Sequence, residues 1–482
     1  MIRLYGTLKI LGLLLMLFSL SMIPPLLISF ATHNQDTPAF LTGFLSTLLT
    51  GLLFWLPFIK KKFELKNRDG FLIVTLFWIL FCIYGAIPFY TYFFPKLPLV
   101  DAVFESTSGL TTTGATIFSN VEGLPPALLY YRQQLHFLGG LGVILLAVAV
   151  LPMLGIGGLQ LLYQAETGGR KEKLRPRIAQ TAKTLWYIYL GLVVLCALSY
   201  WIAGMNFGDA IEESFSTVST GGFSVHNQSF GYYDSQIIDI IAMIFMLLGS
   251  TNFELHYQFI QQRRLDVYFQ DPEFKFYLKI LFFSSFLVSI ILLIYHWYKP
   301  EQTFINSFFT VISVSSTTGF LTTPFNNWPS FLPILIMLLT LIGGCTSSTA
   351  GGIKILRLLL FKNQVNEEFK HLIHPQGIFS MKLGNHTISD SIIKSAWAFG
   401  GAFLLIFILS FLLLLASGLD SLTSFSALAA CISNSGSGLG KVAVDFSEIN
   451  SVSKWILILT MLMGRLEIFT ILVLFSPYYW KR

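Results

Sequence analysis

Apolar runs of membrane length constrain this chain more than any other feature. Ten stretches, with soft boundaries at 10–31, 38–59, 70–94, 129–152, 183–204, 235–259, 276–298, 331–359 (interrupted), 392–417 and 452–476, are long and apolar enough to cross a bilayer. Their apolar positions run on without alternation. Backbone polar groups in lipid must be satisfied internally, so such runs read as helices and not as barrel strands. Only 12% of the 482 residues are charged, about half the share of a soluble domain. That excludes an ordinary cytosolic enzyme, a disordered chain and a disulfide-built secreted module. The expected fold class is an all-α polytopic membrane protein.

The first apolar run continues to about Thr32, too long for a signal-peptide core, and no small-residue cleavage site follows it. It reads as a first span. Cys82, Cys196, Cys345 and Cys431 are widely separated and sit in apolar or small-residue surroundings, so four buried thiols are expected and not a metal site or disulfides.

Lys and Arg set the orientation. One side collects Arg3, Lys9, Lys60, Lys61, Lys62, Lys66, Arg68, Arg170, Lys171, Lys173, Arg175, Arg177, Lys183, Arg263, Arg264, Lys275 and Lys279. The stretch from Lys354 to Lys394 and the terminal Lys481 and Arg482 join them. Both termini are therefore expected to be cytoplasmic, in a multi-pass membrane protein. These clusters read as topology signals or, less directly, as a docking surface for a cytoplasmic partner. The formal charge of +6 is no nucleic-acid signal, because the basic residues lie in short clusters between spans.

Four shorter apolar segments, at 101–113, 209–221, 306–318 and 423–435, lie between spans on the opposite side. They end in related turns: Thr111-Thr112-Thr113-Gly114-Ala115, Ser219-Thr220-Gly221-Gly222-Phe223, Ser316-Thr317-Thr318-Gly319-Phe320 and Ser433-Asn434-Ser435-Gly436-Ser437. Thirteen positions before each aligned glycine stand Asp101, Asp209, Asn306 and Thr423, all helix N-cap residue types. The expected organisation is two leading spans (1–66) and four pseudo-repeats of span, short capped pore helix, turn and span, over 67–165, 166–262, 263–365 and 366–482.

Non-helical backbone at membrane depth is tolerated where it is buried in protein or lines water or ions. A short helix ending at such a turn aims its negative dipole end inward, which favours a cation. Glycine lets the backbone aim successive carbonyls at one axis, and Thr and Ser hydroxyls add oxygens. Four such turns around one axis would replace an ion's water shell, as in potassium channels. The plainer alternative is that each is ordinary re-entrant punctuation.

These stretches make the chain resemble the Trk/Ktr/HKT superfamily of potassium transporters over nearly its whole length. The residues that carry the resemblance are Glu105-Ser106-Thr107-Ser108-Gly109-Leu110 running into the first turn, Phe137-Leu138-Gly139-Gly140-Leu141-Gly142-Val143, Leu151-Pro152-Met153-Leu154-Gly155-Ile156-Gly157-Gly158, the second turn, and Gly464-Arg465-Leu466-Glu467. The resemblance implies a single-file potassium pathway with filter positions at Gly114, Gly222, Gly319 and Gly436. It also implies the bacterial cytoplasmic membrane as the location, a homodimer in membrane lipid and a cytoplasmic nucleotide-binding regulatory subunit of the TrkA type. In that family a serine at the first filter glycine goes with sodium preference, so four glycines imply potassium. Ser437 stands where many relatives are expected to have proline.

Two candidate gates follow. Arg465 lies near the middle of the last span, where a charge is costly unless it serves a function or finds a partner. Its position below the turns suits a barrier to cations, and the resemblance implies the same; the alternative is a salt bridge to another span. Glu467 is two residues away and faces elsewhere. The eighth span is interrupted by Gly343-Gly344-Cys345-Thr346-Ser347-Ser348-Thr349-Ala350-Gly351-Gly352, a sequence that cannot favour continuous helix. It is expected to be a movable lid over the path, or else a static kink. Lys354 and Arg357 after it read as markers of the cytoplasmic interface, and Arg132 as a vestibule residue with either a structural or an ion-related part.

No enzymatic motif competes. Gly436 to Lys441 misses phosphate-loop spacing by one residue, and Val442 stands in place of Ser or Thr. No bound organic cofactor is expected; the ion is cargo. A proton- or sodium-coupled potassium symporter remains the rival, as does a sodium-permeable relative. A proton relay would need intramembrane carboxylates, and Glu254 and Glu467 are the main ones.

Overall fold

The structure is a computed structural model that describes residues 4–61, 67–145, 174–377, 379, 381–384 and 386–480. Arg3, Lys62, Lys66, Arg170, Lys171, Lys173, Lys481, Arg482 and the stretch 151–158, all used above, lie outside the described residues.

The described chain is mostly helical, joined by turns and by longer loops such as 111–125 and 343–354, with one two-residue antiparallel ladder in which Lys382 pairs with Thr387 and Leu383 with His386. Among the described residues six helices, against ten spans expected, are long and apolar enough to cross a membrane: Tyr5–Thr32, Thr37–Phe58, Arg68–Phe93, Thr181–Ile202, Pro272–Ile294 and Asp390–Ala416. Their outward faces carry Leu53, Ile202, Phe283 and Leu405, all well exposed and apolar. A surface so free of charge needs lipid against it, and the protein is an integral membrane protein.

After the two leading helices, one order recurs. A long helix is followed by a short one, a turn and a second apolar helix. The short helices are Leu99–Leu110, Phe207–Val218, Pro300–Ser315 and Ser421–Ile432. The helices that follow them are Pro126–Leu145, Gln236–Ser250, Leu332–Ile342 and Ser451–Arg465.

Two spans read as continuous are in fact sharply broken. Gln236–Ser250 turns by 98° into Phe253–Gln262, and Ser451–Arg465 by 113° into Phe469–Phe475. At the first break Asn252 restarts the helix by accepting the Glu254 N–H at 2.9 Å. At the second, Glu467 and Ile468 take positive φ of 55° and 50°. Hydropathy averaged over a span misses both breaks because each occupies only two or three residues, Thr251-Asn252 and Leu466-Glu467-Ile468, between apolar helices. The expected interruption of the eighth span is present, between Leu332–Ile342 and Ile355–Ile373.

The cap assignments need correction. Asp101, Asp209, Asn306 and Thr423 lie inside their helices, whose N-caps are Pro98, Asn206, Lys299 and Asp420. Pro300 starts the third short helix a full turn early, since proline's fixed φ suits the first helical position. The four polar residues brace instead of capping. Asp101 accepts from the Lys454 ammonium at 2.7 Å, and Asp209 meets His226 at 3.2 Å. Asn306 accepts from the Thr322 hydroxyl, and the Thr423 hydroxyl accepts from the Lys441 N–H, both at 3.1 Å. Polar first-turn residues serve capping and bracing alike, so residue type alone could not separate the two.

Candidate functional site

Each short helix ends in the same hydrogen-bonded reversal. The N–H two residues before the aligned glycine returns to the carbonyl five before it: Thr112 to Gly109, Thr220 to Thr217, Thr317 to Val314 and Asn434 to Cys431, at 3.0–3.3 Å. The next N–H returns one residue further, Thr113 to Ser108, Gly221 to Ser216, Thr318 to Ser313 and Ser435 to Ala430, at 2.8–2.9 Å. This Schellman pair requires a left-handed residue. Here it is Thr112, Thr220, Thr317 or Asn434, with φ of 50°, 54°, 59° and 56°. A β-branched residue in that region carries strain of roughly 1–3 kcal/mol, held only where the surroundings insist on it.

The glycines follow at φ of 82°, 87°, 84° and 71° for Gly114, Gly222, Gly319 and Gly436. A Cβ on Gly114 would collide with the Gly221 carbonyl, on Gly222 with that of Thr318, on Gly319 with that of Ser435, and on Gly436 with that of Thr113. Every contact is made to the next corner in chain order, and the last returns to the first. The four corners therefore form a closed cycle of carbonyls around one axis. Thr111, Thr112, Thr113, Ser219, Thr220, Gly221, Ser316, Thr317, Thr318, Ser433, Asn434 and Ser435 are all buried, while the four glycines alone keep partial exposure. Short-helix dipoles end at this ring, and the net lining is oxygen without a fixed cation, an arrangement that suits a desolvated monovalent cation.

The ring is braced from behind by different means at different places. Glu105, nine residues before Gly114, accepts from Arg132 Nε at 2.7 Å, from the Thr116 hydroxyl at 3.1 Å and from the Ile117 N–H at 2.9 Å. Arg132 is 1% exposed and stacks 4.2 Å from the Phe223 ring centroid. Glu213 holds the equivalent place before Gly222. Its Oε1 accepts from the Ser224 hydroxyl at 2.6 Å and the Val225 N–H at 3.0 Å, while its Oε2 has no hydrogen-bond partner among the described residues. Asn434 Nδ2 donates to the Thr113 hydroxyl and the Met461 carbonyl, both at 3.0 Å, closing the seam between last and first corners.

The loop 343–352 packs against the side of the ring where the short helices end. Gly343 and Gly352, with φ of 76° and 75°, face each other at its neck. The Ile353, Lys354 and Ile355 N–H groups bond back to Leu341, Ile342 and Gly344, each at 3.0 Å. Cys345 N–H donates to Ser250 at 2.8 Å, and Thr349 N–H to Gly249 at 3.2 Å. The Thr349 hydroxyl reaches the Val218 and Gly249 carbonyls at 3.0 and 2.9 Å. Gly344 and Gly351 approach Ser250 and Ser433 so closely that a Cβ would strike their carbonyls. Ser348 closes on the Cys345 carbonyl, and Ala350 receives the Lys354 ammonium. Ser347 offers its carbonyl to the Phe253 N–H at 3.2 Å.

Arg465 joins this loop directly. Its Nη1 donates to the Thr349 carbonyl at 2.7 Å and its Nη2 to Gly139 at 3.4 Å. Among the described residues it pairs with no carboxylate, so the salt-bridge alternative is not realised. Glu467 pairs instead with Arg357 at 2.5 Å. Lys354 is buried and Arg357 partly exposed, both at the base of the loop.

Sequence reasoning missed Glu273. Its Oε1 takes the Thr346 N–H at 2.6 Å, the Thr346 hydroxyl at 2.7 Å and the Leu356 N–H at 3.1 Å, pinning the loop's outer edge. Nothing in its sequence neighbourhood signals this. Glu105 and Glu213 did carry a signal, since both stand at the ninth place before an aligned glycine. The four cysteines are free and buried, as expected.

Comparison with known proteins bears on what such a ring does. The sequence model of the TrkH family, described as a cation transport protein, matches residues 36–482. The chain is 46% identical over 476 residues to the Trk system potassium uptake protein TrkH of Escherichia coli (strain K12), covering 98% of each. It is 45% identical over 478 residues to that of Vibrio parahaemolyticus serotype O3:K6, again covering 98% of each. The crystal structure of the potassium transporter TrkH from Vibrio parahaemolyticus superposes with a TM-score of 0.92 at 42% identity, covering 99% of this chain and 100% of that one.

Proposed function

This chain belongs to the TrkH family of cation transport proteins, and on that premise we propose that it takes up potassium across the cytoplasmic membrane through the ring of four glycine corners. One observation carries the reading: the corners abut in a closed cycle, each glycine against its neighbour's carbonyl. A dehydrated ion needs oxygens already held in place, because flexible ones cost ordering entropy that water does not. Here that holding comes from the paired reversal bonds at every corner. Four short-helix dipoles lower the energy of a cation at the ring. The membrane potential then drives entry with about 2.3 kcal/mol per charge per 100 mV.

Below the ring the loop 343–352 and Arg465 restrain flux. Arg465 opposes a cation by its charge and holds the loop by its bond to Thr349. Opening requires the loop to swing about its neck glycines and Arg465 to let go. A homodimer, a cytoplasmic nucleotide-binding subunit of the TrkA type and cytoplasmic termini belong to the same proposal, which the Trk-system names of the relatives support.

Isotope uptake into proteoliposomes at clamped voltage, with no proton or sodium gradient and with the regulatory partner supplied, tests the proposal. Potassium uptake that follows voltage alone is the expected result. Uptake only under an imposed proton or sodium gradient would replace the channel-like path with a coupled carrier. No potassium uptake under any gradient overturns both.

A further inference from the structure

We propose that Thr317 is a specificity-determining residue whose geometry is set by the loop: the Gly351 N–H donated to its hydroxyl props the seam between the second and third corners. The inference rests on the reading of the ring as the ion filter, and makes the loop a part of that filter as well as an obstruction.

The four left-handed corner positions share a backbone but not a side-chain duty. The Thr112 hydroxyl has no hydrogen-bond partner among the described residues. Asn434 ties its corner to Thr113 and Met461. Thr220 and Thr317 face the loop: the Thr220 hydroxyl lies 3.3 Å from that of Thr349, and the Thr317 hydroxyl accepts the Gly351 N–H at 2.7 Å. These two residues flank a single seam. Thr220 precedes Gly222 by two residues, and Thr317 precedes Thr318, whose carbonyl abuts Gly222. A shift at Thr317 is therefore one peptide away from the contact that spaces two corners.

The other hydrogen-bonded seams are held by fixed parts. Asn434 closes the fourth corner onto the first. Between the first and second, His136 lies beneath Gly221, bonds to Ser216 at 2.7 Å and stacks 4.2 Å from the Phe223 centroid. The loop also backs the fourth corner at Ser433, but by packing alone. Among the described residues, only the second-to-third seam is hydrogen-bonded to the element that must move for ions to pass. A β-branched left-handed residue persists because its surroundings hold it. When the loop swings away, Thr317 loses one of those holds, and the oxygen spacing at that seam relaxes.

The test compares Thr317→Val, which keeps shape and branching but removes the acceptor, with Thr317→Ser, which keeps the hydroxyl. Potassium and sodium uptake are measured separately in proteoliposomes. Thr317→Val is expected to lower the potassium-to-sodium uptake ratio several-fold, and Thr317→Ser to recover it. In a protein lacking residues 345–351, and so the Gly351 donor, the ratio should already be lowered, and Thr317→Val should lower it no further. Equal changes in both ions with Thr317→Val, or an undiminished effect in the loop-deleted protein, would overturn the inference. Should the deletion fail to insert, the Val and Ser pair still decides it. Absence of potassium uptake by the unmodified protein would instead strike the proposed function.

Discussion

Glu105 and Glu213 occupy the same place in successive repeats, yet their surroundings demand opposite outcomes from one substitution. In Glu105→Gln the amide must turn its NH2 either toward Arg132 Nε–H or toward the Ile117 N–H, donor against donor. Arg132, 1% exposed, also loses its counter-charge. Removing one partner of a buried ion pair costs about 3–5 kcal/mol, because the remaining charge is left uncompensated. In Glu213→Gln the amide oxygen can keep both bonds now made by Oε1, and the NH2 takes the place of an oxygen without a hydrogen-bond partner. One unpaired polar atom replaces another, so the cost stays near or below about 1 kcal/mol. Thermal unfolding of the purified protein in detergent measures the contrast. Glu105→Gln should lose several degrees of midpoint, and Glu213→Gln should stay close to the parent. The double variant Glu105→Gln with Arg132→Met should recover part of the loss, since the stranded charge is gone. Equal destabilisation by the two Gln variants would refute the reasoning that the ion pair, and not the carboxylate position, is what each corner depends on.

Other outcomes follow from the same geometry. Arg465→Ala removes both the charge and the bond to Thr349, so potassium flux at fixed voltage should rise; unchanged kinetics would take Arg465 out of the gate. Gly319→Ala places a methyl against the Ser435 carbonyl and should abolish selective uptake while leaving membrane insertion intact, read by ion uptake and membrane fractionation. Asp420 caps the fourth short helix, and the Thr423 N–H holds its carboxyl below the usual carboxylate range. A lowered folded-state pKa stabilises above the unfolded value and is lost as pH falls through the folded one, so that contribution should decline as pH drops below about 4 and be gone once the lower folded value is passed. Asp420→Asn, a neutral cap, should flatten this part of the midpoint-against-pH curve, and an unaltered curve would assign the acid sensitivity elsewhere.

Several structural elements were legible in the residues. Glycine at 114, 222, 319 and 436, each four residues beyond a short apolar helix, marked the corners, because only glycine tolerates the approach of a neighbouring carbonyl there. The glycine and hydroxyl content of 343–352 marked a break that no helix propensity could span. The breaks at Thr251–Asn252 and Leu466–Ile468 were not legible, since each is only two or three residues long inside an otherwise apolar run of span length. Nor were the caps: Asp101, Asp209, Asn306 and Thr423 have the chemistry of caps but are spent on bracing the segments around the ring.

Helical class and the four corners come from composition and local pattern, because lipid forbids unpaired backbone and each corner is closed by bonds within six residues of its glycine. What touches the ring is decided by tertiary structure. Glu273 reaches Thr346, Arg465 reaches Thr349 and Gly351 reaches Thr317 across separations of 73, 116 and 34 residues. Such contacts depend on how helices cross, and helix crossing is set by packing summed over whole faces, which no local run of residues records.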